Sequence, residues 1–178
     1  MNIETVVVGE LGCNCYVLSI DNKVLVIDPG DEFNKIKNIV GNRDVVGVLI
    51  THYHFDHIGA LEDVLNYYQT KLYAYNNLEE KEYNIDSFNF NVIKTPGHKS
   101  DAITFYFRDD KVMFVGDFIF KDNIGRCDLE TGDVIKMQQS IEKIKEYEDD
   151  IVIYPGHGEV TSLRSEKENN YYFNNKWF

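Results

Sequence analysis

Short apolar runs parted by polar turns open the chain and predict strands over residues 3–8, 15–20 and 23–27. Asp21-Asn22 fits a hairpin turn between the last two. Asp28-Pro29-Gly30-Asp31 stops the third strand, and Phe33, Ile36, Ile39 and Val40 then fall on one helical face over residues 33–40. A strand over 45–50 follows. Ile58, Leu61, Val64, Leu65 and Tyr68 predict a helix over 58–68.

Residues 71–75 read as a short strand, and the acidic stretch 76–86 has little pattern. A strand over 88–95 is halted by Pro96-Gly97. Residues 102–107 and 111–115 predict a hairpin around Arg108-Asp109-Asp110. The segment 116–132 holds three glycines and reads as a loop. Asp133 is the expected N-cap of a helix over 134–147, 151–154 is the last strand, and 165–175 is a closing helix. Strands dominate each half with helices between them, which predicts a layered α/β domain.

The 178 residues suit one domain with a substantial buried core, and no linker or low-complexity segment divides them. Composition agrees: 43% of residues are hydrophobic, including 12 Tyr and 11 Phe. Eighteen basic residues against 30 acidic ones give a net charge of −12, which argues against nucleic acid or an anionic membrane as partner. Residues 1–9 lack a basic stretch and carry Glu4, so they do not read as a signal peptide, and no apolar run is long enough to cross a bilayer. Three cysteines, Cys13, Cys15 and Cys127, are an odd count that predicts reduced thiols in a cytoplasm. Cys13 and Cys15 have no second cysteine pair to complete a zinc site and are expected to pack in a strand.

Chemistry concentrates after the strand 45–50, in Thr51-His52-Tyr53-His54-Phe55-Asp56-His57. Neutral imidazole offers a lone pair at ordinary pH, so such a cluster predicts metal ligation. Alternate residues of an extended segment point the same way, so His52 and His54 can pinch one cation. Asp56 and His57, where the chain bends into a helix, can reach a second. The chain holds five histidines, and the other two each follow a strand and a Pro-Gly turn: Thr95-Pro96-Gly97-His98 and Tyr154-Pro155-Gly156-His157. Between them, Phe114-Val115-Gly116-Asp117 ends another strand in a potential ligand.

The run His-x-His-x-Asp-His, with the later Gly-His, Gly-Asp and Gly-His, resembles the metallo-β-lactamase superfamily, most nearly its small glyoxalase II-like (hydroxyacylglutathione hydrolase-like) members. Asn14-Cys15-Tyr16, Val26-Ile27-Asp28-Pro29-Gly30, residues 124–129 and Gly132-Asp133 leading into a helix with Ser140-Ile141 are similar to that group as well. The resemblance implies a four-layer αββα sandwich with the metals at one edge of the two sheets. It assigns His52, His54 and His98 to a first metal, Asp56, His57 and His157 to a second, and Asp117 to a bridge between them. Flavodiiron proteins carry Glu at the position of His54, a common β-lactamase type carries Cys at that of Asp117, and related nucleases carry a large inserted domain. The chain matches none of the three.

Two divalent ions are therefore expected, Zn2+ first, with Fe or Mn as alternatives. Cations about 3.5–4 Å apart lower the pKa of a bound water from ~15.7 toward ~7, giving a hydroxide that Asp56 is placed to orient toward a carbonyl. The expected activity is hydrolysis of a small-molecule thioester, such as S-lactoylglutathione or another acyl-thiol. A persulfide dioxygenase-like enzyme, with one iron on His52, His98 and Asp117, is the alternative; a metal-binding protein without turnover is a third. Asp28 either holds a ligand imidazole from behind or is a plain strand-end residue. Arg126 and Lys99 either bind an anionic substrate or stand as solvated charges. A single domain over residues 1–178 is expected, without the C-terminal helical substrate domain of full-length glyoxalase II. The aromatic tail, residues 166–178, is expected to pack on the domain or on a neighbouring subunit of a homo-oligomer. Phe118 replaces the threonine common after the Gly-Asp and alters the pocket wall.

Overall fold

Period-two alternation divides the long strands between two apolar surfaces, and that division builds the layers. The computed structural model describes residues 1–177; Phe178, the end of the expected tail, lies outside the described residues. Strands β1 (Asn2–Val8), β2 (Cys13–Ile20), β3 (Lys23–Ile27), β4 (Asp44–Leu49) and β5 (Leu72–Tyr73) form a first sheet in that spatial order. The second sheet runs β13-β12-β9-β8-β7-β6, from β6 (Glu82–Ile85), β7 (Phe88–Lys94), β8 (Ile103–Phe107), β9 (Val112–Gly116), β12 (Val152–Pro155) and β13 (Thr161–Ser162). A small hairpin of β10 (Ile119–Phe120) and β11 (Asn123–Ile124) stands apart.

In β3, Leu25 and Ile27 turn inward and meet Phe90, Phe105 and Phe114 of the second sheet. Val24 and Val26 turn outward, onto Ile36 and Val40 of α1 (Phe33–Val40). The helix α3 (Leu61–Tyr68) covers the same outer face with Leu61 and Val64 against Val48 and Ile50. On the far side, Met113 and Val115 of β9 meet Met137, Ile141 and Ile144 of α4 (Val134–Lys145). The order of layers is thus helix, sheet, sheet, helix: the αββα sandwich. Each fully buried side chain of this size contributes about 1.5–3 kcal/mol from water exclusion.

Asp133 caps α4 as expected, accepting from the Ile135 and Lys136 amides at 2.9 and 3.0 Å. Cys13 and Cys15 are buried in β2. Four local expectations need correction. The helix over 58–68 is broken into α2 (Phe55–Ile58) and α3, because the Ala60 amide is drawn to the Pro29 carbonyl at 2.9 Å. Residues 76–86 contain β6, a polar edge strand whose alternation is too weak to read. The loop 116–132 contains the β10–β11 hairpin, two residues a side.

The closing helix is two: α5 (Leu163–Asn169) and α6 (Tyr171–Asn174). Asn170 divides them, its buried amide donating to the Asn123 carbonyl at 3.0 Å and to Glu166 at 2.7 Å. Leu163 and Phe173 pack into the α4 layer, so the tail lies on its own domain.

The two sheets meet at one edge. The Asn14 amide of β2 donates to the Gly156 carbonyl at 2.8 Å, and Asn14 Nδ2 donates to the Pro155 and Gly158 carbonyls, both at 3.0 Å. The Tyr16 hydroxyl adds a fourth link, donating to the Pro155 carbonyl at 2.5 Å. The five histidines gather at this edge.

Candidate metal centre

Strands β7, β9 and β12 run in the same direction, so their C-terminal ends bring His98, Asp117 and His157 to one edge of the second sheet. The end of β4 brings the cluster 52–57 there from the first sheet. Close approach explains the glycines. A Cβ on Gly156 would lie 2.3 Å from Asp117 Oδ1 and 2.7 Å from His57 Cε1. Gly116 has φ of +56°, and a Cβ there would lie 2.3 Å from Thr51 Oγ1.

The donors form two groups, each with its atoms within 4.8 Å of one another: His52, His54, His98 and Asp117, and Asp56, His57 and His157. In the first, His54 Nδ1 lies 3.1 Å from His52 Nε2 and 2.9 Å from His98 Nε2. In the second, Asp56 Oδ2 lies 3.1 Å from His157 Nε2 and 3.7 Å from His57 Nε2. Asp117 faces both groups. Its Oδ2 is 3.5 Å from His98 Nε2, and its Oδ1 is 3.3 Å from His57 Nε2 and 3.6 Å from His157 Nε2.

Partners on the far side of each ring fix where the protons sit. His98 Nδ1 donates to the Arg126 carbonyl at 2.8 Å, and His157 Nδ1 donates to the Leu11 and Gly12 carbonyls at 3.1 and 3.2 Å. His57 Nδ1 donates to Asp28 Oδ2 at 2.9 Å. The Thr51 hydroxyl donates to the same Asp28 oxygen at 2.6 Å, so toward His52 Nδ1, 3.1 Å away, it accepts. In their neutral forms these four histidines therefore turn bare Nε2 lone pairs toward the centre.

Lone pairs and carboxylates that converge in this way call for a cation. His57 Nε2 and Asp117 Oδ1 are buried without a hydrogen-bond partner among the described residues. Burial, reinforced by the neighbouring histidines, holds His52 well below the ordinary histidine pKa. Burial also works against charge on His57, yet the facing carboxylates of Asp117 and Asp28, with the Cys13 thiol beside them, raise its pKa well above the ordinary value. The pocket thus favours positive charge at His57 Nε2, whether a proton or a metal. Five imidazoles and two carboxylates are a donor set suited to Zn2+, Fe or Mn, and they fit a dinuclear site.

Asp28 occupies both roles open to it in the sequence: it ends β3 with φ of +49°, and its carboxylate backs His57. The Arg126 guanidinium is exposed and doubly hydrogen-bonded to Asp128, so its carbonyl is what touches a site histidine. Lys99 pairs with Asp101 at 2.9 Å. Sequence reasoning passed over Thr51, although its hydroxyl stands next to the histidine cluster. It also missed the carbonyls of Leu11, Gly12 and Arg126, which leave no mark in a sequence.

The chain belongs to the metallo-beta-lactamase superfamily, whose family model matches residues 8–83 and 75–157. Members are mostly hydrolases and bind divalent metals. Over 211 aligned residues it is 30% identical to the hydroxyacylglutathione hydrolase GloC of Haemophilus influenzae, spanning 99% of this chain and 100% of that one. It is similar to the solved structure of BLEG-1, a B3 metallo-beta-lactamase, with a TM-score of 0.94 and 26% identity over 98% of this chain and 100% of that one. Similarity to TTHA1623, crystallised in a di-iron-bound form, has a TM-score of 0.87 and 26% identity over 95% and 99% of the two chains. No helix among the described residues is long and apolar enough to cross a membrane.

Proposed function

We propose that this protein is a dinuclear metal-dependent thioester hydrolase, acting on S-lactoylglutathione or another acyl-thiol as a single metallo-β-lactamase-fold domain. The observation that carries this reading is Asp117, whose two oxygens face two separate groups of donors. Full-length similarity to a hydroxyacylglutathione hydrolase supports the thioester. His52, His54 and His98 would hold one ion, Asp56, His57 and His157 the other, and Asp117 both; we assign Zn2+ first, with iron or manganese as alternatives. When bound, such a pair supplies a nucleophilic water at neutral pH and polarises a carbonyl oxygen.

The chain's own groups do the rest. Burial opposes ionisation of Asp56, but the hydrogen bond from His157 and the charge of His57 outweigh it, and its pKa is lowered. Asp56 is therefore a carboxylate that can accept a hydrogen bond from water and aim it. A cleft of about 370 Å³ opens beside it, between Leu11, Asp31 and Phe55. Hydrolysis forms the acyl C–O bond, breaks C–S and leaves a carboxylic acid and a thiol. Lys99 and Arg126 would meet anionic parts of a substrate only by loosening from Asp101 and Asp128.

The test is steady-state hydrolysis of S-lactoylglutathione by protein of assayed metal content, with a β-lactam and a persulfide as parallel substrates. Saturable thioester turnover at kcat/KM above ~10⁴ M⁻¹s⁻¹ is expected. Oxygen uptake with the persulfide, or preferential opening of the β-lactam, would overturn the thioesterase reading.

A further inference from the structure

The cleft beside Asp56 combines two features that bear on which thiol can enter. Its apolar part is made by Leu11 and Phe55, which are 60% and 75% exposed. Both are tied to the centre: the Leu11 carbonyl accepts from His157, and Phe55 stands between His54 and Asp56 in the chain. The rim is acidic, with Glu10 and Asp31 lining the same cleft. Glu10 has no ion-pair or hydrogen-bond partner among the described residues.

The cations around the centre are already engaged. Lys35 donates to the Val7 carbonyl at 2.9 Å and to Glu32 at 3.2 Å. Lys99 pairs with Asp101, Arg126 with Asp128 and Lys121 with Glu159. A glutathione ester carries two carboxylates and one ammonium group. It would approach two carboxylates in the cleft, with no unpaired cation among these four to meet its own, on a chain of net charge −12.

Resting on the thioesterase reading, we propose that this mouth selects thioesters of amine-bearing thiols over those of the anionic tripeptide thiol, with Leu11 and Phe55 seating the apolar part of the substrate. Glu10 is the residue that discriminates, and Asp31 reinforces it. Uncharged thiols fall between the two.

The experiment compares three S-lactoyl thioesters on metal-loaded protein: those of 2-(dimethylamino)ethanethiol, N-acetylcysteamine and glutathione. At low ionic strength kcat/KM should fall in that order, by about tenfold or more from first to last. High salt should compress the range, because exposed charges are screened beyond ~10 Å at 0.1 M. Glu10→Gln should raise kcat/KM for the glutathione ester and lower it for the cationic one, while Leu11→Ser should raise KM for all three. A glutathione ester that equals or exceeds the cationic ester overturns the selectivity and leaves the thioesterase reading standing, as does a ranking untouched by salt and by Glu10→Gln. Absence of turnover with all three overturns the thioesterase reading itself, and the selectivity with it.

Discussion

Asp28 Oδ2 lies 2.9 Å from His57 Nδ1, and both side chains are buried. The carboxylate also accepts from the Thr51 amide at 2.8 Å and the Thr51 hydroxyl at 2.6 Å. One residue of β3's end therefore orients two histidines, His57 directly and His52 through the threonine.

Replacing that carboxylate by an amide should turn the His57 ring chemistry around. In Asp28→Asn an N–H facing Nδ1 favours the other tautomer, with its proton on Nε2, where the metal would bind. Metal affinity and kcat/KM should fall by about 10–100-fold, as for other residues that orient metal ligands. Competitive metal titration checks the first and steady-state kinetics the second; unchanged affinity would remove Asp28 from the site.

His54→Ala should empty the first donor group without unfolding the protein, since His54 is only half-buried and its ring takes no part in the apolar clusters. The expected outcome is a loss of activity greater than ~100-fold, above the range seen for groups behind the ligands. Elemental analysis should find less than two metals per chain, and circular dichroism should match the parent. Parental turnover would refute the dinuclear assignment.

Metal removal has a pH signature with a definite sign. The folded pKa of His57 is raised well above its ordinary 6.5, so in metal-free protein its protonation stabilises the fold below about 6.5 and that contribution fades as pH rises through the folded value. Metal competes with the same proton and gains affinity over the same range. The increase in Tm on adding metal should therefore grow with pH above about 6.5. At a free metal concentration of 100 Kd it corresponds to about 2.7 kcal/mol. Calorimetry with and without chelator tests this, and a Tm increment that shrinks with pH would contradict it.

Gly156→Ala puts a methyl group 2.3 Å from Asp117 Oδ1. Relief requires Asp117 or His57 to move, so metal affinity should drop along with about 1–3 kcal/mol of stability from overpacking. Denaturant melts on metal-free and metal-loaded protein separate the two effects. A variant that binds two metals with parental affinity would show the contact to be tolerated.

The sandwich was legible because burial is two-sided. Leu25 and Val26 alternate between a sheet and a helix, yet both are apolar, so β3 reads as a short unbroken apolar run. Elements escaped where tertiary contacts outweighed local pattern. The Pro29 carbonyl breaks the helix after Ile58, Asn170 divides the last helix with its side-chain amide, and β6 is a polar edge with one buried residue, Ile85. At the centre, the donor side chains were visible because five histidines all follow strands. Carbonyls of Leu11, Gly12 and Arg126 were not, because any residue supplies one.

The seam between β2 and β12 ties the protein's chemistry to the order in which the chain is made. All four donors of the first group precede residue 118, whereas the second group lacks His157 until β12 and the turn after it are present and docked on Asn14. On a ribosome, where synthesis proceeds at about 5–20 residues per second, half of the centre exists before the other half can. The second group is thus a record that both ends of the chain have met, and a nascent or nicked chain that failed to close this seam could carry metal yet lack the pair.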